Sequence, residues 1–139
     1  MFKVKLVNIF VFLFVKYMVF FTLLAFLGDR FKLIVLNNSD NTEELISNSF
    51  YYLIYPLLIT VLFTFLFSIP WYFSFRVKKV IYFVLFVITV LIVEYFIYTQ
   101  IASTTDFKNG LSNGLLTLLF FVFFFYKKIA LIFRQTKLL

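Results

Sequence analysis

Glu94 and Lys16 each interrupt a long apolar run. Glu94 lies within Val80 to Thr99, and Lys16 lies near the middle of Leu6 to Leu27. A carboxylate kept in hydrocarbon is costly, and it marks an ion, proton or substrate path unless it is held in a structural pair. On a helix Tyr98 falls at i+4 from Glu94, so the phenol and the carboxylate share a face. Lys16 is flanked by Val15 and Tyr17 and has Phe12 and Phe20 on its own face. Pairing Lys16 with Glu94 removes two desolvation penalties at once. The candidate site is therefore Glu94, Lys16 and Tyr98, acting as an intramembrane charge pair or as a proton or ion site.

Little else in the chain can do chemistry. There is no Cys and no His, which excludes disulfides, thiol nucleophiles, imidazole bases and Cys/His metal sites. Asp29, Asp40, Glu43, Glu44 and Asp106, with Ser39, Ser47, Ser103 and Thr104, recur in no spacing that builds a metal site or a catalytic triad. The expectation is a non-enzyme with no cofactor and no metal. Asn8, Thr22, Thr60, Thr64, Ser68, Thr89 and Thr117 are scattered small polar groups, expected to bond their own helix carbonyls or to cross between helices, and they outline no pore.

The elements that carry these residues follow from composition. Of 139 residues 64% are hydrophobic and 14% charged, with 24 Phe and 9 Tyr. A soluble domain is about half apolar and about a quarter charged, and a core of this size cannot hide so much aromatic surface. A bilayer can. Its hydrocarbon core needs about 20 helical residues to cross. Four apolar runs answer to that, predicting helices over about 6–27, 50–73, 80–100 and 111–133 joined by an outer loop over 28–49. Val84 to Ile88 and Phe120 to Phe125 show no alternation, which rules against membrane strands. The fold class is all-α: a single-domain, integral-membrane bundle of four transmembrane helices.

The first run also resembles a signal peptide. Its length, its interruption by Lys16 and the sequence Ala25-Phe26-Leu27-Gly28, which lacks small residues at both preferred positions, point to a retained anchor. Orientation follows from Lys and Arg. Lys3, Lys5, Arg76, Lys78, Lys79, Lys127, Lys128, Arg134 and Lys137 fall on one side, against Arg30, Lys32 and Lys108 on the other, so both termini are expected in the cytoplasm. Arg76, Lys78, Lys79, Lys127 and Lys128 are expected to touch lipid headgroups. The net charge of +7 is thus topological and not a sign of nucleic-acid binding. Tyr51, Tyr52 and Tyr55 at the outer end of the second helix, and Trp71 and Tyr72 at its inner end, are the expected interface anchors.

Four finer expectations remain. Pro56 is placed in the first turn of the second helix, or else at a kink, and Pro70 at a bend near the inner interface. Thr42 to Ser47 could form a short helix with Glu43 and Glu44 in its first turn. Gly110 and Gly114 match the spacing for close helix contact, although a turn or cap explains them as well. The excess of Phe, Ile, Lys, Asn and Tyr over Ala and Gly suggests an AT-rich genome and so a bacterial or organellar source, with a bacterial inner membrane as the expected location.

Function is expected to be that of an accessory or scaffolding subunit of a larger membrane complex, in contact with the lipid bilayer and with other integral membrane subunits or copies of itself. The alternative is an oligomeric ion- or proton-coupled transporter or channel using Glu94. In size the chain is similar to the small multidrug transporters. Their essential carboxylate lies in the first helix, where this chain has Lys16, so no residue role is carried over.

Overall fold

The computed structural model describes residues 4–26, 30–77, 79–101 and 107–135. Every regular element among them is helical: α1 (Leu6–Phe26), a short α2 (Arg30–Ile34), a 3₁₀ turn (Leu36–Asn38), α3 (Thr42–Ser74), α4 (Val80–Ile101) and α5 (Phe107–Gln135). Four of these, α1, α3, α4 and α5, are long and apolar enough to cross a membrane. This is the four-span, all-α class expected from the sequence.

The four spans form a ring. α1 packs against α3 and α5, and α4 packs against the same two, leaving α1 and α4 on opposite corners. Neighbours run antiparallel: the Tyr52 hydroxyl of α3 donates to the Ala25 carbonyl near the end of α1, while Phe12, early in α1, meets Trp71, late in α3. This is an up-down-up-down bundle.

α3 starts earlier than its apolar run. Thr42 to Ser49, expected in the outer loop, is continuous with the span, and the helix covers 33 residues. At 1.5 Å per residue it is about 50 Å long, well beyond the roughly 30 Å of hydrocarbon. Capping, not hydropathy, sets its start. The Asn41 side chain accepts from the Glu44 amide at 2.8 Å, which satisfies an orphan donor of the first turn, and the Glu44 carboxylate reaches back to accept from the Asp40 amide, just before the cap, at 2.9 Å. Pro56 consequently lies deep inside α3 and not in its first turn.

α5 also starts earlier than expected, so Gly110 and Gly114 lie within a helix and not in a turn. A Cβ on Gly110 would sit 2.6 Å from Tyr95 Cε2, whereas nothing approaches the same position on Gly114. Gly110 is where α5 closes on α4.

The interior is layered. Toward the α3–α4 connection, Phe12, Trp71, Phe75, Phe83, Phe121 and Phe125 form an aromatic block, with Trp71–Phe121 ring centroids 4.9 Å apart and Phe75–Phe125 4.7 Å. Toward the other end, Phe20, Phe21, Phe63 and Tyr98 form a second, with Phe20–Tyr98 at 5.4 Å. Between the two blocks lies a polar layer. Outside, Phe65, Phe96 and Phe123 are among many large apolar side chains left exposed. Such a surface suits lipid and not water.

Candidate functional site

Lys16 of α1 and Glu94 of α4 meet across the bundle axis. Both are fully enclosed, at 0% and 1% exposure, and the Lys16 ammonium donates to Glu94 Oε1. It is the one ion pair among the described residues. A lone charge in this interior would carry the full cost of desolvation, and each partner offsets that of the other. The lysine stem reaches across because α1 and α4, though diagonal, run parallel and bring their middles to similar depths.

Three further side chains converge on the same oxygen. The Tyr17 hydroxyl donates to Glu94 Oε1 at 2.9 Å, Asn113 Nδ2 at 3.0 Å, and Thr117 Oγ1 stands 3.3 Å away. The Thr117 hydroxyl is closer to the Asn113 carbonyl, at 2.8 Å, so its single proton serves mainly its own helix. The Lys16 ammonium also lies 3.7 Å from the centroid of the Tyr17 ring, within cation–π range. The donors come from α1 and α5 and the acceptor from α4, which ties three of the four spans at one atom.

The other half of this group is unbalanced. Glu94 Oε2 and Asn113 Oδ1 are buried, and neither has a hydrogen-bond donor among the described residues. Buried acceptors without donors are uncommon and call for an explanation.

The sequence brought Lys16 and Glu94 forward, but not the rest of their shell. Tyr98 is buried one turn from Glu94 in the aromatic layer, against Phe20, Phe21 and Phe63. The phenol that donates to the carboxylate is Tyr17, which the sequence offers only as the neighbour of Lys16. Asn113 lies between Gly110 and Gly114, and no role is expected of it from the sequence. Thr117 appears as one of the scattered polar groups, yet it reaches Glu94. The signal for both was their i,i+4 spacing on α5, one turn apart on a single face. Thr64 and Thr89 do bond their own helices, to the carbonyls of Thr60 and Leu85.

Trp71 requires a correction. Expected as an inner interface anchor, it is 0% exposed and packed between Phe12 and Phe121, and its indole N–H lacks a partner among the described residues. Its place on the α1- and α5-facing side of α3 outweighs the interfacial preference of the indole ring. Tyr51 and Tyr55 are exposed on the early turns of α3, and Tyr52 is half-buried through its bond to Ala25. Tyr72 is half-buried and receives a hydrogen bond from Arg76, whose guanidinium lies over its ring. Among the headgroup-contact candidates, Arg76, Lys79 and Lys127 are exposed and Lys128 is half-buried. Lys78 lies outside the described residues, as do Lys3, Lys137, Gly28, Asp29, Ser103, Thr104 and Asp106.

Among the described residues, four of the surface cavities are lined without Glu94 or Lys16. The chain matches no family model, no curated protein and no solved structure.

Proposed function

We propose that this chain is a small, non-catalytic accessory or scaffolding subunit of a larger inner-membrane assembly, oriented with both termini in the cytoplasm. The observation that carries the reading is the enclosure of Glu94. The intramembrane carboxylate is engaged by Lys16, Tyr17 and Asn113 of the same chain and is only 1% exposed. A coupling carboxylate must exchange its ligand with one side of the membrane and then the other, whereas this one holds α1, α4 and α5 together. The broad apolar exterior supports contact with lipid and with neighbouring membrane helices. The basic residues clustered toward the α3–α4 connection and the two ends of the chain support the orientation.

A second reading has one specific observation in its favour. Glu94 Oε2 and Asn113 Oδ1 form an unsatisfied acceptor pair in the core, and a transported proton could reside on the carboxylate oxygen. In that case the chain is a proton-coupled transporter or channel built from several copies.

The two readings separate experimentally. Purified in mild detergent, an accessory subunit is expected to retain unrelated membrane subunits in fixed stoichiometry, and reconstituted alone it is expected to show no flux. Proton or ion flux from the reconstituted chain, abolished by Glu94→Gln with the fold intact, reverses the ranking.

A further inference from the structure

The outer end of the bundle carries a cavity unrelated to the charge pair. It has a volume of about 310 Å³ and lies between the outer ends of α1, α3 and α4, with α2 along one side. Phe21, Leu24 and Ile59 give it an apolar wall, Tyr98 lies at its α4 side, and Arg30 is the one charged residue that lines it. The volume is at the lower end of the range for small-molecule sites, which suits one hydrocarbon chain and excludes a whole two-chain lipid.

Arg30 sits where a headgroup would. It opens α2, shortly beyond the end of α1, and it is exposed with no carboxylate partner among the described residues. A guanidinium presents a planar fork of donors that matches the oxygens of a carboxylate or a phosphate. Apolar walls below and one cation at the rim are complementary to a molecule with a hydrocarbon tail and an anionic head. An aliphatic amine would meet Arg30 as a like charge, and an alcohol would leave the fork without a counter-ion.

We propose that this cavity binds a single-chain amphiphile with an anionic oxygen head, the head on Arg30 and the tail between α1, α3 and α4 against Tyr98. The shared chemistry is the oxyanion, supplied either by a free fatty acid or by a lysophospholipid. This gives the chain a ligand-binding activity that the scaffolding reading neither requires nor forbids.

The test uses the full chain in dodecyl maltoside, photolabelled with a diazirine analogue of myristate and mapped by mass spectrometry. Label is expected on Phe21 to Ala25 and on Tyr52 to Ile59. Unlabelled myristate is expected to compete, and tetradecanol and tetradecylamine are not. Competition by lysophosphatidylglycerol as well extends the head to phosphates, and competition by myristate alone narrows it to carboxylates. Arg30→Gln should weaken labelling about tenfold, the effect of losing one charge-assisted contact. Arg30→Lys should recover part of it, and Leu24→Phe should reduce it by narrowing the slot. Native fluorescence of Trp71, at the far end of the bundle, certifies the fold of each variant. Label spread over the lipid-facing surface of α4 and α5 overturns the proposal. So does cavity labelling that is indifferent to Arg30→Gln or competed equally by the alcohol or the amine.

Discussion

Lys16 and Glu94 should behave as one energetic unit, and a double-mutant cycle measures whether they do. Glu94→Gln keeps the side-chain shape and an acceptor for Tyr17 and Asn113, but leaves the Lys16 ammonium facing only dipoles. Removing one member of a buried pair costs about 3–5 kcal/mol. Lys16→Met leaves the carboxylate with Tyr17 at 2.9 Å and Asn113 at 3.0 Å. Two hydrogen bonds to a charged acceptor, each contributing about 1.5–3 kcal/mol net, soften that loss to about 2–4 kcal/mol. In the double variant no charge remains, the amide still accepts from Tyr17 and Asn113, and Met fills most of the lysine stem. The expected cost falls to about 1–2 kcal/mol, because only neutral groups are left buried.

The coupling energy expected is therefore about 3 kcal/mol or more. An ordinary polar contact between membrane helices averages about 0.6 kcal/mol, so the magnitude itself separates a charge clamp from an incidental hydrogen bond. The protein carries its own reporter. Trp71 is the single tryptophan, buried between Phe12 of α1 and Phe121 of α5. Its fluorescence should follow separation of α1 and α5 from α3 during titration with SDS in dodecyl maltoside micelles. Two single-variant losses that simply add, with coupling under about 0.6 kcal/mol, would show that the pair is not a clamp and remove the main support for the scaffolding reading.

The remaining predictions address packing, capping and orientation. Gly110→Ala should destabilise the bundle by about 1–3 kcal/mol through overpacking against Tyr95, while Gly114→Ala, with nothing in the way, should not; equal effects in the same SDS titration contradict the close approach. Asn41→Ala should cost the start of α3 about 1 kcal/mol, read as faster limited proteolysis between Thr42 and Ser49 with the Trp71 signal unchanged. Since the chain has no Cys, single cysteines at Lys5, Lys79 and Arg134 should react with an impermeant maleimide only after the cytoplasmic side is opened. Cysteines at Asn38 and Lys108 should react in intact cells. Labelling of Lys5→Cys and Arg134→Cys from opposite sides rules out an even number of crossings.

The spans and the central charges were legible in the sequence for the same reason: hydrocarbon tolerates long Phe and Ile runs and penalises charge. Helix ends were less so. Thr42 to Ser49 is polar, and hydropathy does not register a helix that continues past the membrane on the strength of its Asn41 cap. Trp71 was misplaced because an indole near the end of a run has an interfacial preference on average, whereas its position around α3 directs it into the core.

Which face of each helix turns inward is the deeper difficulty. α1, α3 and α4 are apolar nearly all round, so hydrophobic periodicity carries little information about their facing. The sparse polar residues carry it instead, since a polar group finds partners inside the bundle and none in lipid. On α1, Lys16 places Ile9, Phe12, Leu13 and Phe20 on the buried side at helical spacing, and all four are buried. On α3, Thr60, Thr64 and Ser68 trace a stripe that passes through Phe63, Phe67 and Trp71. On α5, Asn113 and Thr117 lead along the same face to Phe121 and Phe125. Taken together, these polar positions require the lysine, the carboxylate, the amide and the threonine to share one interior. Their meeting at a single oxygen of Glu94 follows from that requirement once the ring order puts α1 opposite α4 with α5 between them.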